Sequence, residues 1–252
     1  NIKTINGQSL LGLGDLSILA ADRAYIAYQE YVPYMSNATT IGTGLAYTGA
    51  GSTISLSPAH NVLNKPAYGY RQTTASTNVV VRIAANTACV VPMRFPTYYQ
   101  SSAFLSDALA TIATHRFALG IIGNAPSTDV DPSTFSDCIM LAYDKTDATV
   151  QIMHNDGSGT CTKIDTGWIK PTESNQYHYF LKLTTDPATG TVSYEARRWN
   201  STNFNEDIFS GVINTNLPTS SIAVVFFSFA SVGGTSSTAH IRMGQTVLKS
   251  WI

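Results

Sequence analysis

Charged residues are scarce in this chain of 252 amino acids. Only 12% of the residues are Asp, Glu, Lys or Arg, against about 25% in an ordinary soluble domain. The chain has four Glu and seven Lys, but 31 Thr, 25 Ser and 15 Asn. Exposed helical positions favour Glu and Lys, whereas Thr, Tyr, Val and Phe suit the pleated surface of a sheet. The composition therefore argues against helical bundles and coiled coils and favours β structure.

Basic clusters and long apolar runs are also missing. The formal net charge is −1, and no block of Lys or Arg offers a binding surface for phosphate backbones or anionic lipids. We therefore expect no nucleic-acid partner. The longest apolar run, from Ile222 to Ala230, is interrupted by Ser228 and is far shorter than the ~20 residues of a spanning helix. We therefore expect no membrane insertion.

Cysteine is rare as well. Cys89, Cys138 and Cys161 are the three in the chain, and none has the CxxC spacing that is typical of zinc or redox sites. We expect free thiols. A bond between Cys138 and Cys161 across a possible hairpin stays open at this point, because it requires a matched register that the sequence does not reveal.

Turn residues separate short runs of alternating polarity from Arg116 to the C-terminal end, which is typical of antiparallel sheets. Asp156-Gly157 and Asp186–Gly190 predict hairpin turns, because Gly and Asp tolerate the backbone conformations that such turns need. The run from Ile222 to Ala230 is apolar on both faces, which predicts a central strand covered on both sides. We predict an all-β chain that folds as an antiparallel jelly-roll or concanavalin-like β-sandwich.

Two segments favour helical structure. Tyrosines recur every third residue near the N-terminal end, which places their rings on one stripe of a helix or 3₁₀ segment ending at Pro33. These tyrosines are Tyr25, Tyr28, Tyr31 and Tyr34. A second short helix is predicted over residues 106–114, with Ser106 as its N-cap.

The first sixteen residues form a distinctive string, NIKTINGQSLLGLGDL. This string resembles the KTINGQSLLGSGDL segment that recurs in bacteriophage tail-fibre and tail-associated proteins, and departs from it at Leu13. The hairpin in residues 177–192 is similar to the strand–DPxTG–strand hairpin of lectin-like sandwiches. The resemblance to tail fibres covers about sixteen residues, and it identifies the chain as the C-terminal head fragment of a receptor-binding protein.

This resemblance implies an organisation and a set of partners. Residues 1–36 are expected to form a shaft or trimerisation segment, and residues 37–252 a β-sandwich receptor-binding head. Related fibres are homotrimers whose distal heads bind receptors on the bacterial surface, often polysaccharide. The implied partners are two further copies of the chain, the upstream fibre shaft, and a host-surface glycan or outer-membrane receptor. The implied location is the distal tail fibre of the virion.

Aromatic and amide side chains near loop ends are candidates for contact with a glycan. Trp and Tyr rings stack on apolar sugar faces, while Asn and Asp bind hydroxyl groups. A surface rich in Ser, Thr and Asn also suits neutral sugars. The candidate ligand-binding residues are Tyr98, Tyr99, Asn155, Asp156, Trp199 and Asn203.

The familiar signatures of catalysis are absent. The sequence contains no GxSxG elbow, HExxH, Walker A loop or GxGxxG. Carboxylates that could cleave a glycoside in pairs are mostly in turns, where fixing the turn explains them better. Glu195 is expected to pair with Arg197 on one face of a strand. These candidate carboxylates are Asp129, Asp131, Asp137, Asp144, Asp147, Asp156, Asp186, Glu195 and Glu206.

We therefore predict no enzymatic activity and no catalytic residue. A tail-associated polysaccharide depolymerase or esterase, and a purely structural tail component, remain as alternatives. Asp129 with Asp131, and Asp144 with Asp147, could offer oxygen ligands to calcium, but neither pair has the spacing of an EF-hand loop. No metal ion and no cofactor are expected.

Overall fold

The computed structural model describes the chain in several ranges, and it is almost entirely β. The described residues are 4–5, 8–9, 25–31, 45–48, 52–56, 68–72, 76–85, 88, 90–105, 114–172, 177–200, 205–237, 240–244 and 246–251. Their strands are β1 (Thr4–Ile5), β2 (Gln8–Ser9), β3 (Tyr25–Tyr31), β4 (Leu45–Thr48), β5 (Ser52–Leu56), β6 (Tyr68–Gln72), β7 (Ser76–Ala85), β8 (Thr97–Leu105), β9 (His115–Ile122), β10 (Cys138–Tyr143), β11 (Thr149–Asn155), β12 (Thr162–Ile169), β13 (Tyr177–Asp186), β14 (Thr191–Asn200), β15 (Glu206–Ile213), β16 (Val225–Ser237), β17 (His240–Met243) and β18 (Thr246–Trp251). A single 3₁₀ turn is described at Pro132–Thr134. No helix in these ranges has the length and hydropathy that crossing a membrane requires.

The strands form two large antiparallel sheets and a small hairpin. The first sheet has the order β12-β11-β10-β9-β16-β7-β4. The second has the order β15-β14-β13-β8-β17-β6-β5, with β18 beside β8 and β3 beside β18. The hairpin pairs β1 with β2 within the N-terminal string. The two sheets make a jelly-roll β-sandwich, and the predicted fold class is confirmed.

Two cores hold this sandwich together. The main core lies between the sheets, where the ring of Phe117 lies 5.7 Å from that of Tyr143 and 5.3 Å from that of Tyr179. A second core lies on the outer face of the first sheet, beneath the long connection from β9 to β10. Phe135 of that connection packs edge-on against Phe229 at 5.3 Å. Because a fully buried Phe contributes roughly 1.5–3 kcal/mol, the burial of Phe135 anchors the connection across the sheet.

Several sequence patterns are confirmed. The Asp186–Gly190 turn joins β13 to β14, which pair from Asp186↔Thr191 to Tyr177↔Asn200, and Gly190 has φ +66°. The strand β16 lies in the interior of the first sheet between β9 and β7. Its residues Val225 to Val232 are buried on both faces, as expected from a run that is apolar on both sides.

The tyrosine stripe near the N-terminal end is not helical. Residues 25–31 form the strand β3, which pairs antiparallel with β18 near the opposite end of the chain. Tyr and Ile suit a sheet better than an exposed helix, and a partner strand more than 200 positions away decided the outcome. The sandwich therefore includes a strand from the segment expected to form the shaft. Tyr34 and most of the helix expected over 106–114 lie outside the described residues.

Candidate functional site: a loop cluster at one end of the sandwich

The two neighbouring tyrosines of β8 face opposite sides of the second sheet, because successive residues of a strand alternate. Tyr99 is fully buried in the main core, so its ring cannot stack on a ligand from solvent. Tyr98 lies on the outer face, where its hydroxyl donates to Gln100 Oε1 at 2.5 Å and Lys249 Nζ lies 5.1 Å from its ring. Of the pair, Tyr98 alone remains available for contact.

Trp199 lies on the same outer face as Tyr98 but far from it. The strand β13 pairs with both neighbours, and it places Thr184 beside Tyr98 and His178 beside Trp199. Six residues along a strand span about 20 Å, so the two rings do not belong to one compact site. The Trp199 ring contacts that of Phe180, with 6.3 Å between the centroids.

The remaining predictions fall at one end of the sandwich. Asn155 ends β11 and Asp156 follows it, while Asn203 lies outside the described residues. Three connections meet there: the connection from β9 to β10, the turn from β11 to β12, and the connection from β15 to β16. We call this the loop cluster, and define it by Asp137, residues 155–161 and Asn216.

Asn155 organises the loop cluster from beneath. Its side chain is buried, with 0% relative exposure. Its Oδ1 accepts a hydrogen bond from the backbone N–H of Gly157 at 2.6 Å, and its Nδ2 donates to the Gly159 carbonyl at 3.4 Å. Such side-chain bonds to the backbone two residues on are typical of Asn in turns. Asn155 therefore shapes the loop and does not present its amide to solvent.

Asn216 joins two of the connections. Its Oδ1 accepts the backbone N–H of Asp156 at 3.2 Å, and its Nδ2 donates to Thr162 Oγ1 at 2.8 Å and to the His154 carbonyl at 3.3 Å. His154 Nδ1 lies 3.0 Å from the Asn216 carbonyl oxygen and donates to it. These bonds hold Asp156 in place without using its carboxylate. Asn216 was not among the residues predicted from the sequence. Its signal is an Asn shortly before Pro218, because Asn tolerates positive φ in turns.

The backbone is unusual at two points of the loop cluster. Among the described residues, Asp137 and Asn216 are the non-glycine residues with positive φ, each at +51°. Both belong to the loop cluster. Asp and Asn adopt this left-handed region more readily than other non-glycine residues. The two positions therefore show where the backbone of two connections turns at this end of the sandwich.

Two carboxylates, Asp137 and Asp156, lie near each other in the loop cluster. A Cβ atom on Gly157 would lie 2.9 Å from Asp137 Oδ1, so the Asp137 carboxylate lies against the turn that carries Asp156. Burial and the negative charge of Asp156 raise the pKa of Asp137 above its usual value. Hydrogen bonds from the hydroxyl and the backbone N–H of Ser158 lower the pKa of Asp156. The pKa of Asp156 therefore lies below that of Asp137.

These two carboxylates differ from most others in the described part of the chain, because neither has an ion-pair partner there. Glu195 instead binds Arg197 at 2.6 Å, which confirms the predicted pair. The pair at Asp137 and Asp156 leaves acceptor oxygens open beside solvent. Hydrogen-bond donors of a ligand would satisfy them.

The carboxylates considered as calcium ligands are neutralised by basic side chains. Arg116 binds both Asp129 and Asp131, at 2.6 and 2.5 Å. Lys163 binds Asp144 and Asp147, at 2.8 and 2.7 Å. In the described ranges, no group of three or more His, Cys, Asp or Glu side chains is arranged to hold a metal ion. The Arg116 pairs anchor the connection that carries Asp137 across the outer face of the first sheet.

Comparison with known proteins supports the fold. No protein-family model matches this chain, and no curated protein matches it. The solved structure of lectin UEA-II complexed with galactose has a TM-score of 0.53 at 10% identity, over 91% of this chain and 100% of the lectin. The seed lectin of Lotus tetragonolobus has a TM-score of 0.51 at 11% identity, over 90% and 99% of the two chains.

A bacterial protein has the same architecture. A protein of unknown function from Shewanella oneidensis MR-1 has a TM-score of 0.51 at 12% identity, over 96% of each chain. These likenesses extend over nearly the whole chain, so they establish a jelly-roll sandwich of the legume-lectin type. At this level of identity they establish the fold and not a function.

Proposed function

We propose that this chain is a non-enzymatic glycan-binding head, and that the loop cluster is its binding site. The observation that carries the proposal is the pair Asp137 and Asp156, which lies on a lectin-type sandwich without a basic partner in the described part of the chain. Sugar hydroxyls donate hydrogen bonds, and hydrogen bonds to charged acceptors contribute about 1.5–3 kcal/mol each. Strand ends hold both carboxylates in place, which limits the entropy lost on binding.

We propose further that the glycan lies on a bacterial surface and that the chain is the tip of a phage tail fibre. The support is the resemblance of residues 1–16 to a segment of tail-fibre proteins. In this proposal the chain acts as a homotrimer at the distal end of the virion. Static light scattering tests the assembly: we expect three times the 27.1 kDa of one chain, and a monomer at working concentration contradicts a trimeric fibre tip.

Substitutions in the loop cluster test the site. We expect Asp137→Asn and Asp156→Asn each to weaken binding to host cells or to a glycan array by about 10- to 100-fold, because each loses one charged acceptor. The matched control is Asp165→Asn, an exposed carboxylate on β12 at the sandwich edge. Binding is measured with fluorescently labelled protein. Equal affinity for all three variants and the native chain would refute the loop cluster as the binding site.

The same pair of carboxylates favours a second candidate, a glycan hydrolase. A carboxyl group with a raised pKa beside an ionised carboxylate is the arrangement by which glycosidases divide the acid and base roles. Asp137 would be the acid and Asp156 the nucleophile or base. Incubation with the host glycan separates the two candidates. Released oligosaccharides that disappear with Asp137→Asn would establish hydrolysis, whereas binding without products supports the non-enzymatic head.

A further inference from the structure

Two thiols meet in the second core, and one of them, Cys161, belongs to the loop cluster. Cys138 begins β10 and Cys161 directly precedes β12. Their Sγ atoms lie 3.6 Å apart. Cys138 is fully buried, while Cys161 has 8% relative exposure. The register that the sequence could not reveal therefore brings these two side chains into contact.

The connection from β9 to β10 holds both thiols at this point. The carbonyl oxygen of Phe135 accepts from Cys138 Sγ at 3.7 Å and from Cys161 Sγ at 3.4 Å. The backbone N–H of Cys161 donates to the Ser133 carbonyl at 2.8 Å. The same stretch of backbone thus orients both side chains, and both pack in the second core and not in the main core.

We infer that Cys138 and Cys161 are a redox pair that closes to an intrachain disulfide. The bond requires an S–S distance of about 2.05 Å, so the two sulfur atoms must approach by about 1.5 Å. The oxidant is a small-molecule disulfide, which accepts the two electrons and leaves as two thiols.

The chemistry proceeds by two exchange steps. The Cys161 thiolate, the more exposed of the two, attacks one sulfur of the reagent and displaces one reagent thiolate. The Cys138 thiolate then attacks Cys161 Sγ, breaks the mixed disulfide and displaces the second. The two S–H protons pass through water to the displaced reagent thiolates, and one S–S bond forms in the protein. In the reduced chain, the hydrogen bond with Cys161 and burial raise the pKa of Cys138, so Cys161 and not Cys138 makes the first attack.

The disulfide would stabilise the loop cluster. It joins positions 23 residues apart and encloses β10, β11 and the turn that carries Asp156. Because cross-linking removes conformational freedom from the unfolded chain, a loop of this length raises Tm by about 5–10 °C in a chain of this size. The inference does not depend on glycan binding, since the bond and the Tm are measured without a ligand.

Peptide mapping tests the pair. The Cys89→Ser chain is incubated with oxidised glutathione, alkylated after denaturation and digested with trypsin. We expect peptides 117–145 and 146–163 to appear as one species, two hydrogens lighter than their sum, and Tm to rise and fall reversibly with oxidant and reductant. The matched control is Cys89→Ser with Cys161→Ser, which gives neither effect.

Three results would overturn the inference. They are alkylation of both thiols after oxidation, a stable glutathione adduct on Cys161 without the cross-link, and a bond from Cys89 to either cysteine in the native chain. The native chain is mapped in parallel, so a folding defect of the Cys89→Ser variant does not prevent a decision.

Discussion

Replacing Arg116 tests how the connection that carries Asp137 is held on the first sheet. Arg116 is 5% exposed and its two ion pairs are with Asp129, 9% exposed, and Asp131, 28% exposed. In Arg116→Met the side chain keeps most of its volume and loses its charge. The Asp129 carboxylate is then buried without a cation, which costs about 3–5 kcal/mol. The more exposed Asp131 adds at most about 1 kcal/mol.

Urea unfolding measures this cost. With a slope of about 3 kcal/mol per M, we expect the midpoint of Arg116→Met to fall by about 1–2 M. The triple variant, with Arg116→Met, Asp129→Asn and Asp131→Asn, removes the buried charge and should recover at least half of the loss. If the free energy of unfolding of Arg116→Met lies within about 1 kcal/mol of that of the native chain, these ion pairs do not anchor the connection.

The pH dependence supplies an independent check. Burial opposes ionisation of Asp131, but hydrogen bonds from Arg116 and from the backbone N–H of Lys145 bring its pKa below the usual value. A carboxyl group with a depressed pKa in the folded state stabilises the fold above its ordinary pKa and loses that contribution as the pH falls through the depressed value. The difference between the native chain and Arg116→Met should therefore be full at pH 7 and shrink below about pH 4.

Two further predictions concern a buried lysine and a crowded glycine. Burial lowers the pKa of Lys170 from 10.5 to about 8. Between these two values the unfolded chain binds one proton more than the folded chain, so the free energy of unfolding rises from about pH 8 to about pH 10.5. Denaturation at several pH values should show this rise, and its persistence in Lys170→Met would contradict the assignment. In Gly120→Ala the new Cβ would collide with the Ile139 carbonyl oxygen and lie 2.7 Å from Met140 Cα, which should cost about 3 kcal/mol. The matched control is Gly159→Ala, where the space is open and φ is +66°. This substitution should cost about 1 kcal/mol. Equal urea midpoints for the two variants would contradict the proposed steric clash at Gly120.

The amino-acid sequence by itself determined the class of the fold and much of its local detail. The turn at Asp186–Gly190 and the pair Glu195–Arg197 depend on residues a few positions apart, and the apolar pattern that predicted an interior position for β16 lies within one short run. Alternation along a strand and the conformational preferences of Gly, Pro and Asp act at this range. Local chemistry was sufficient there because the interacting groups are neighbours in the chain.

Tertiary structure alone decided the contents of the candidate site. Asp156 and Asn216 are 60 positions apart, and their contact depends on which strands pair and in which register. The same long-range pairing made a strand of residues 25–31, buried Tyr99 while exposing Tyr98, and brought Cys138 against Cys161. A register is set by the burial of whole sheet faces and not by any short segment. The sequence therefore predicted a sandwich with polar loop ends, and the packing of the two sheets determined which of those ends meet.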